Sequence, residues 1–180
     1  DTITGGGDAD TITLTETTSA ADIVKWTSTT STALATETSV TAGTDNDFAV
    51  GTLGDKIVGF TSGTDKFHFS TALVNNGTDT DTLKTIAPGG VVANNDVFVE
   101  VTGAITDGTM GEAITVLNAL DTSAVAIGED VIFFVNGGTN GYLCLLTQVS
   151  TADTIVAQDL TLIGQVTGVT NVADGDFVAF

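Results

Sequence analysis

A short repeat constrains this chain more than any other feature of its sequence. Asp-Thr-Ile-Thr occupies residues 1–4 and returns nine residues later at 10–13. The same order, an aspartate two residues before an apolar residue, recurs later at Asp22, Asp55, Asp65 and Asp153. Because glycines lie between the repeats, this spacing predicts a coil that is built from one short strand and one turn per repeat.

Most of the remaining sequence also favours strands. Threonine, valine and isoleucine are frequent, and glycine, asparagine and aspartate separate them, as in chains of short strands and turns. Residues 131–135 and 142–149 predict a hairpin around the turn Asn-Gly-Gly-Thr-Asn-Gly. A strand near residue 98 is predicted to alternate, with one face formed by Val97, Val99 and Val101 and the other by Phe98 and Glu100.

Helical periodicity is confined to short segments. Residues 108–123 are the best helix candidate, because Ile114, Leu117 and Leu120 follow one another at three-residue steps. A brief helical turn is predicted within residues 151–160, before a strand within 160–169. The sequence therefore predicts a mostly β protein with one or two short helices.

The charge balance limits the partners of the protein. Its net charge of −19 comes from 23 acidic residues and only four lysines, without any arginine. Such a surface repels phosphates and anionic headgroups, so we expect no nucleic-acid partner and no membrane insertion. Apolar runs such as Val-Ile-Phe-Phe-Val, in a chain that is 42% hydrophobic, argue against disorder.

Catalytic signals are weak, and the sequence predicts that the chain is not an enzyme. His68 is the only histidine, and it alternates with two phenylalanines on a predicted strand, so we expect it on the face opposite to theirs. A metalloprotease motif needs two histidines, and no G-x-S-x-G turn is present. Carboxylate pairs for glycoside hydrolysis stay open, and a carbohydrate-binding domain using Trp26 is a further alternative. Cys144 lies in an apolar run, which predicts a buried and inert thiol.

Aspartates one residue apart are candidate cation ligands, because Ca²⁺ binds oxygen atoms from flexible loops. These pairs are Asp8/Asp10, Asp45/Asp47, Asp79/Asp81 and Asp174/Asp176. A solvated acidic turn is the alternative interpretation for each pair.

Residues 5–13 resemble the calcium-binding nonapeptide of RTX (repeat-in-toxin) proteins, G-G-x-G-x-D-x-U-x. Gly5, Gly6, Asp10 and Ile12 match this motif, whereas Asp8 stands where the motif has glycine. The resemblance implies a parallel β-roll in which turn carbonyls and the aspartate at position 10 hold Ca²⁺ between stacked turns.

Two further segments resemble type I secreted proteins of the same family. Residues 55–73 are similar to the segment that follows RTX repeats, through Asp55, Ile57, Phe60, Gly63, Asp65 and Lys66. The ending, Asp176 followed by Phe-Val-Ala-Phe, resembles an uncleaved type I secretion signal. Residues 129–180 also resemble the tail of RTX-linked surface proteins, including S-layer proteins.

The resemblance implies a calcium-binding structural protein of the extracellular surface, exported by type I secretion machinery and assembled with itself. It implies a parallel β-roll with calcium-stacked turns within residues 1–45, running into a β-sandwich-like domain at 46–180. The expected calcium ligands are Asp1, Gly5, Gly6, Asp8, Asp10, Asp45, Asp47, Asp55 and Asp65. The alternative is the secretion and folding module of an exported hydrolase or adhesin whose active part lies upstream of Asp1.

Overall fold

The computed structural model describes residues 1–7, 9–15, 20–27, 54–74, 82–103, 105, 110–148, 155 and 159–180. The elements in chain order are β1 (Thr2–Ile3), β2 (Thr11–Thr13), β3 (Ile23–Trp26), β4 (Asp55–Val58), β5 (Lys66–Phe69), β6 (Leu83–Ile86), β7 (Phe98–Val101), α1 (Met110–Asn118), β8 (Asp130–Asn136), β9 (Gly141–Thr147), β10 (Leu160–Thr167) and β11 (Phe177–Ala179). The prediction of a mostly β fold is confirmed.

The strands form two sheets. The small sheet has the order β1-β3-β5-β11, and all its strands are parallel. The large sheet has the order β2-β4-β10-β9-β8-β7-β6, and only β9 runs antiparallel to its neighbours. The first five strands alternate between the two sheets, so the start of the chain coils, as the repeat predicts.

The described residues form three layers, which are the small sheet, the large sheet, and a layer of α1 with adjoining loops. One hydrophobic core lies between the two sheets and includes Trp26, Phe67 and Phe134. The second core lies on the other side of the large sheet, where Leu117 of α1 packs on side chains such as Phe133. The large sheet is therefore covered on both faces, which suits its long apolar strands.

Most local predictions agree with the described elements. The hairpin forms from β8 and β9, and the helix covers Met110–Asn118, a shorter span than predicted. Val99 and Val101 face one core and Phe98 the other, as alternation requires. The placement of Val97 was wrong: it precedes β7, where alternation does not apply, and packs in the same core as Phe98. Most of the turn predicted within residues 151–160 lies outside the described residues.

Cys144 lies on β9 and is fully buried, as predicted. Burial raises the pKa of its thiol to about 12. Because the thiolate is the reactive form, we expect a disulfide reagent to leave the folded protein unmodified at pH 8. One equivalent should react after the protein is unfolded in guanidinium chloride. Rapid stoichiometric labelling of the folded protein, followed by thiol absorbance, would contradict this expectation.

Candidate functional site

The repeated aspartates among the described residues form two rows in the folded protein, because each one lies at the first position of a strand or immediately before it. Asp1, Asp22 and Asp65 occupy adjacent positions at the starts of β1, β3 and β5 in the small sheet. Asp10 and Asp55 occupy adjacent positions at the starts of β2 and β4 in the large sheet. Each aspartate therefore occupies the same register position as its neighbour in the sheet.

Within each row, the carboxylate of one aspartate accepts a hydrogen bond from the backbone nitrogen of its neighbour. Asp65 Oδ1 lies 3.0 Å from the backbone nitrogen of Asp22, and Asp22 Oδ1 lies 2.6 Å from the N-terminal ammonium of Asp1, with which it forms an ion pair. In the large sheet, Asp55 Oδ1 lies 2.9 Å from the nitrogen of Asp10. The aspartates thus satisfy backbone donors just before each strand begins, which is a structural role that needs no ion.

Asp55 is the most enclosed carboxylate of these rows. It is fully buried, and its Oδ2 accepts a hydrogen bond of 2.9 Å from Trp26 Nε1. Burial raises the pKa of Asp55, and the Asp10 charge acts in the same direction, although bonds from Asp10 N–H and Trp26 oppose the rise. Because the pKa is raised in the folded state, the contribution of Asp55 to stability is present below the usual carboxyl pKa and is lost as the pH rises through the raised value.

Gly5 lies where the second oxygens of Asp10 and Asp55 converge. A Cβ atom on Gly5 would lie 2.9 Å from Asp10 Oδ2 and 3.2 Å from Asp55 Oδ2, so a side chain at this position would displace these carboxylates. Gly6 has a φ of 103°, which favours glycine. We call Gly5, Asp10 and Asp55 the glycine corner. It places two carboxylates beside a glycine turn, and carboxylate oxygens are among the six to eight oxygen ligands that Ca²⁺ takes.

The other predicted ligands are distributed differently. Asp1 and Asp65 belong to the row of the small sheet, separate from the glycine corner. Asp8, Asp45, Asp47, Asp79 and Asp81 lie outside the described residues. Among the described residues, no three histidine, cysteine or acidic side chains form a group suited to a metal ion.

The pair near the C-terminus has two separate sets of partners. Asp176 is fully buried and accepts hydrogen bonds from Ser62 Oγ at 2.7 Å and from the nitrogens of Gly63 and Ala173 at 2.8 Å. Lys66 Nζ lies 3.5 Å from its Oδ1. Asp174 Oδ1 accepts one exposed bond of 3.1 Å from the nitrogen of Leu83.

Sequence reasoning missed two residues of this region. Asp22 appeared among the repeats, but the candidate ligands did not include it. Trp26 carries no sequence signal of its bond to Asp55, because the two residues are 29 positions apart and belong to different sheets.

Comparison of the chain with protein-family models, with curated proteins and with solved structures found no match. No described helix has the length and apolar character needed to cross a membrane. By its described fold, the chain is a mostly β protein with two sheets and a coil of parallel strands at its start.

Proposed function

We propose that this chain is a calcium-binding structural protein of the extracellular surface, exported by a type I system and folded or assembled by Ca²⁺. The observation that carries the proposal is that Asp10 Oδ2 and Asp55 Oδ2 both lie against Gly5, at 2.9 Å and 3.2 Å from the position of a Cβ atom there. The parallel coil that contains this corner supports the proposal further, because it arises from the same repeat that resembles the RTX nonapeptide.

Electrostatics favours a divalent cation at the glycine corner. Burial and the Asp10 charge both disfavour the ionised form of Asp55 at neutral pH. A cation beside the two carboxylates offsets this cost, because an opposite charge favours the ionised form. Protons compete with the cation for Asp55, so Ca²⁺ affinity falls as the pH is lowered.

The net charge of −19 extends this argument to the whole chain. Self-repulsion opposes the compact state, and bound Ca²⁺ reduces it. In this proposal the chain stays loose where calcium is scarce, which suits export, and becomes compact in extracellular calcium.

The only tryptophan of the chain provides a direct test, because Trp26 donates to Asp55. We expect calcium to change Trp26 fluorescence, and Tb³⁺ bound in its place to luminesce after excitation of Trp26. At a hundred times the dissociation constant, one site adds about 2.7 kcal/mol to the free energy of unfolding. Fluorescence titration and thermal melting measure both effects.

Asp10→Asn should weaken both responses at least about tenfold, because it removes one charge while the backbone bond of residue 10 to Asp55 remains. Asp121→Asn, measured on protein dilute enough to stay monomeric, is the matched control, since Asp121 is exposed on a loop and bonds to Ser123. Identical fluorescence and melting in calcium and in chelator would falsify the calcium part of the proposal. Ordered assemblies in electron micrographs after calcium addition support the structural part, and monomers at high calcium contradict it.

A further inference from the structure

Electrostatic repulsion opposes contact between two copies of this chain. Each copy carries −19, so their surfaces repel one another unless the contact includes a cation. The chain has four lysines and no arginine, so few places on its surface can receive an acidic partner. Lys84 already bonds to Asp96, and Lys66 lies 3.5 Å from the buried Asp176.

The outer face of the small sheet carries two lysines, Lys25 and Lys66, of which Lys66 lies 3.5 Å from the buried Asp176. Along β3, β5 and β11 the side chains alternate, and the inward ones are buried in the core. In these three strands, all within the described residues, no outward position carries a carboxylate. We call this surface the lysine face, and it consists of Ile23, Lys25, Lys66, His68, Val178 and the adjoining Phe180.

An exposed aromatic ring lies at the centre of the lysine face. Phe180 is 43% exposed, and Lys25 Nζ lies 3.6 Å from the centroid of its ring. The His68 ring centroid is 6.1 Å from the same ring. Among the described residues, no carboxylate forms an ion pair with Lys25. The charge of Lys25 therefore remains available to an acidic partner.

The opposite layer carries an acidic surface. Hydrogen bonds join the loops of residues 90–94 and 121–130. The nitrogen of Val92 donates to the carbonyl oxygen of Asp121, and the nitrogen of Asp121 donates to that of Gly90. The nitrogen of Ala126 also donates to Asn94 Oδ1, at 3.0 Å. We call these two loops the acidic platform. It carries the exposed Asp121 and the half-buried Glu129, whose Oε2 accepts a bond of 3.2 Å from the nitrogen of Ala126. Bonds from the Ser123 hydroxyl and N–H lower the pKa of Asp121. The platform is therefore anionic at neutral pH.

The platform also carries exposed apolar side chains. Val91 is 50% exposed and Ile127 is 61% exposed. Together with Phe180, these are the large hydrophobic side chains that the described residues leave exposed. Phe180 lies beside Lys25, and Ile127 lies on the same loop as Asp121 and Glu129. Val91 lies at the edge of the platform, where its carbonyl oxygen accepts a bond of 3.1 Å from Lys84 Nζ. The lysine face and the loop around Ile127 are therefore complementary in charge, and both offer apolar contacts.

The two surfaces lie on opposite sides of the three-layer protein. The lysine face points away from the core between the sheets, whereas the platform packs on the far face of the large sheet through Val92 and Val125. We infer that the lysine face of one copy docks on the acidic platform of a second copy. Because the contact joins two different surfaces, it repeats from copy to copy and builds an open row. This inference deepens the assembly part of the proposed function and rests on it.

Sedimentation velocity in calcium tests the contact with three variants that each add one aspartate at an exposed position. Phe180→Asp blocks the lysine face, and Ile127→Asp blocks the platform. Thr139→Asp, in the β8–β9 turn, is the matched control. We expect each blocking variant to weaken association at least about tenfold, while the control associates like the unaltered protein. Raising the salt from about 0.05 M to about 0.5 M should also weaken association.

A mixture separates this contact from a symmetric one. Phe180→Asp retains its platform and Ile127→Asp retains its lysine face, so an equimolar mixture should form 1:1 pairs and stop there. Monomers in the mixture, equal loss in the Thr139→Asp control, or an unaltered protein that stays monomeric would each overturn the inference. Trp26 fluorescence in the same samples reports calcium binding separately, so failure of the contact is distinguishable from failure of the calcium site.

Discussion

Replacing Phe177 with alanine should lower the free energy of unfolding by about 3–5 kcal/mol, the usual cost of truncating a buried aromatic side chain. Phe177 is fully buried on β11, between the sheets. Its ring centroid lies 5.5 Å from that of Phe67 and 5.3 Å from that of Phe98. The change therefore leaves a cavity where side chains of both sheets meet.

Phe180→Ala is the matched control for this prediction, since it makes the same substitution three residues later on an exposed ring. Denaturant unfolding of dilute protein measures both variants, and the control should lose less than about 1 kcal/mol. Similar losses in the two variants would show that Phe177 does not have the packing described above.

The secretion signal predicted for this ending stays a prediction. An exporter could read it only before β11 forms, because Asp176 and Phe177 are buried once the protein is folded.

Asp176→Ala should destabilise the protein by a similar amount, about 3–5 kcal/mol, because removing one partner leaves buried polar groups unpaired. The Ser62 hydroxyl and the N–H groups of Gly63 and Ala173 all donate to this carboxylate. Lys66 also loses its neighbouring charge. These partners belong to the protein, so the loss should be equal in calcium and in chelator.

Asp174→Ala provides the comparison two residues away, where one exposed bond to Leu83 is lost. We expect a loss of about 1 kcal/mol or less for this variant. Thermal melting of both variants with and without calcium distinguishes the two roles of an aspartate. A loss for Asp176→Ala that is seen only in calcium would instead identify Asp176 as a ligand of the ion.

The parts of the fold that depend on neighbouring residues were predictable from the sequence. The β8–β9 hairpin follows from a glycine-rich turn between two apolar runs, and the alternation of His68 with its neighbours follows from strand geometry. Asp10 and Asp65 each precede a strand, as the repeat predicts. These signals lie within a few residues of one another, so a single sequence carries them.

The pairing of distant strands was not predictable in this way. β10 lies between β4 and β9, although about a hundred residues separate it from β4. Parallel pairing of distant strands depends on packing across the whole molecule, and no local pattern specifies it.

The glycine corner was predictable in part. Gly5 and Asp10 follow from the repeat, and Asp55 joins them because the register of β2 on β4 places it there. The use of aspartates as acceptors for backbone amides was missed, because the sequence reasoning treated these residues chiefly as cation ligands. Their position just before a strand, repeated in both sheets, was the signal that could have revealed this role.

The small sheet takes its strands from residues 2–3, 23–26, 66–69 and 177–179. Its fourth strand is thus the last of the described strands to leave a ribosome. Until then Phe67 and Phe69 lack a neighbour that the finished sheet provides. A nascent chain with this topology acquires its final shape late and slowly, since the closing pair spans more than a hundred residues.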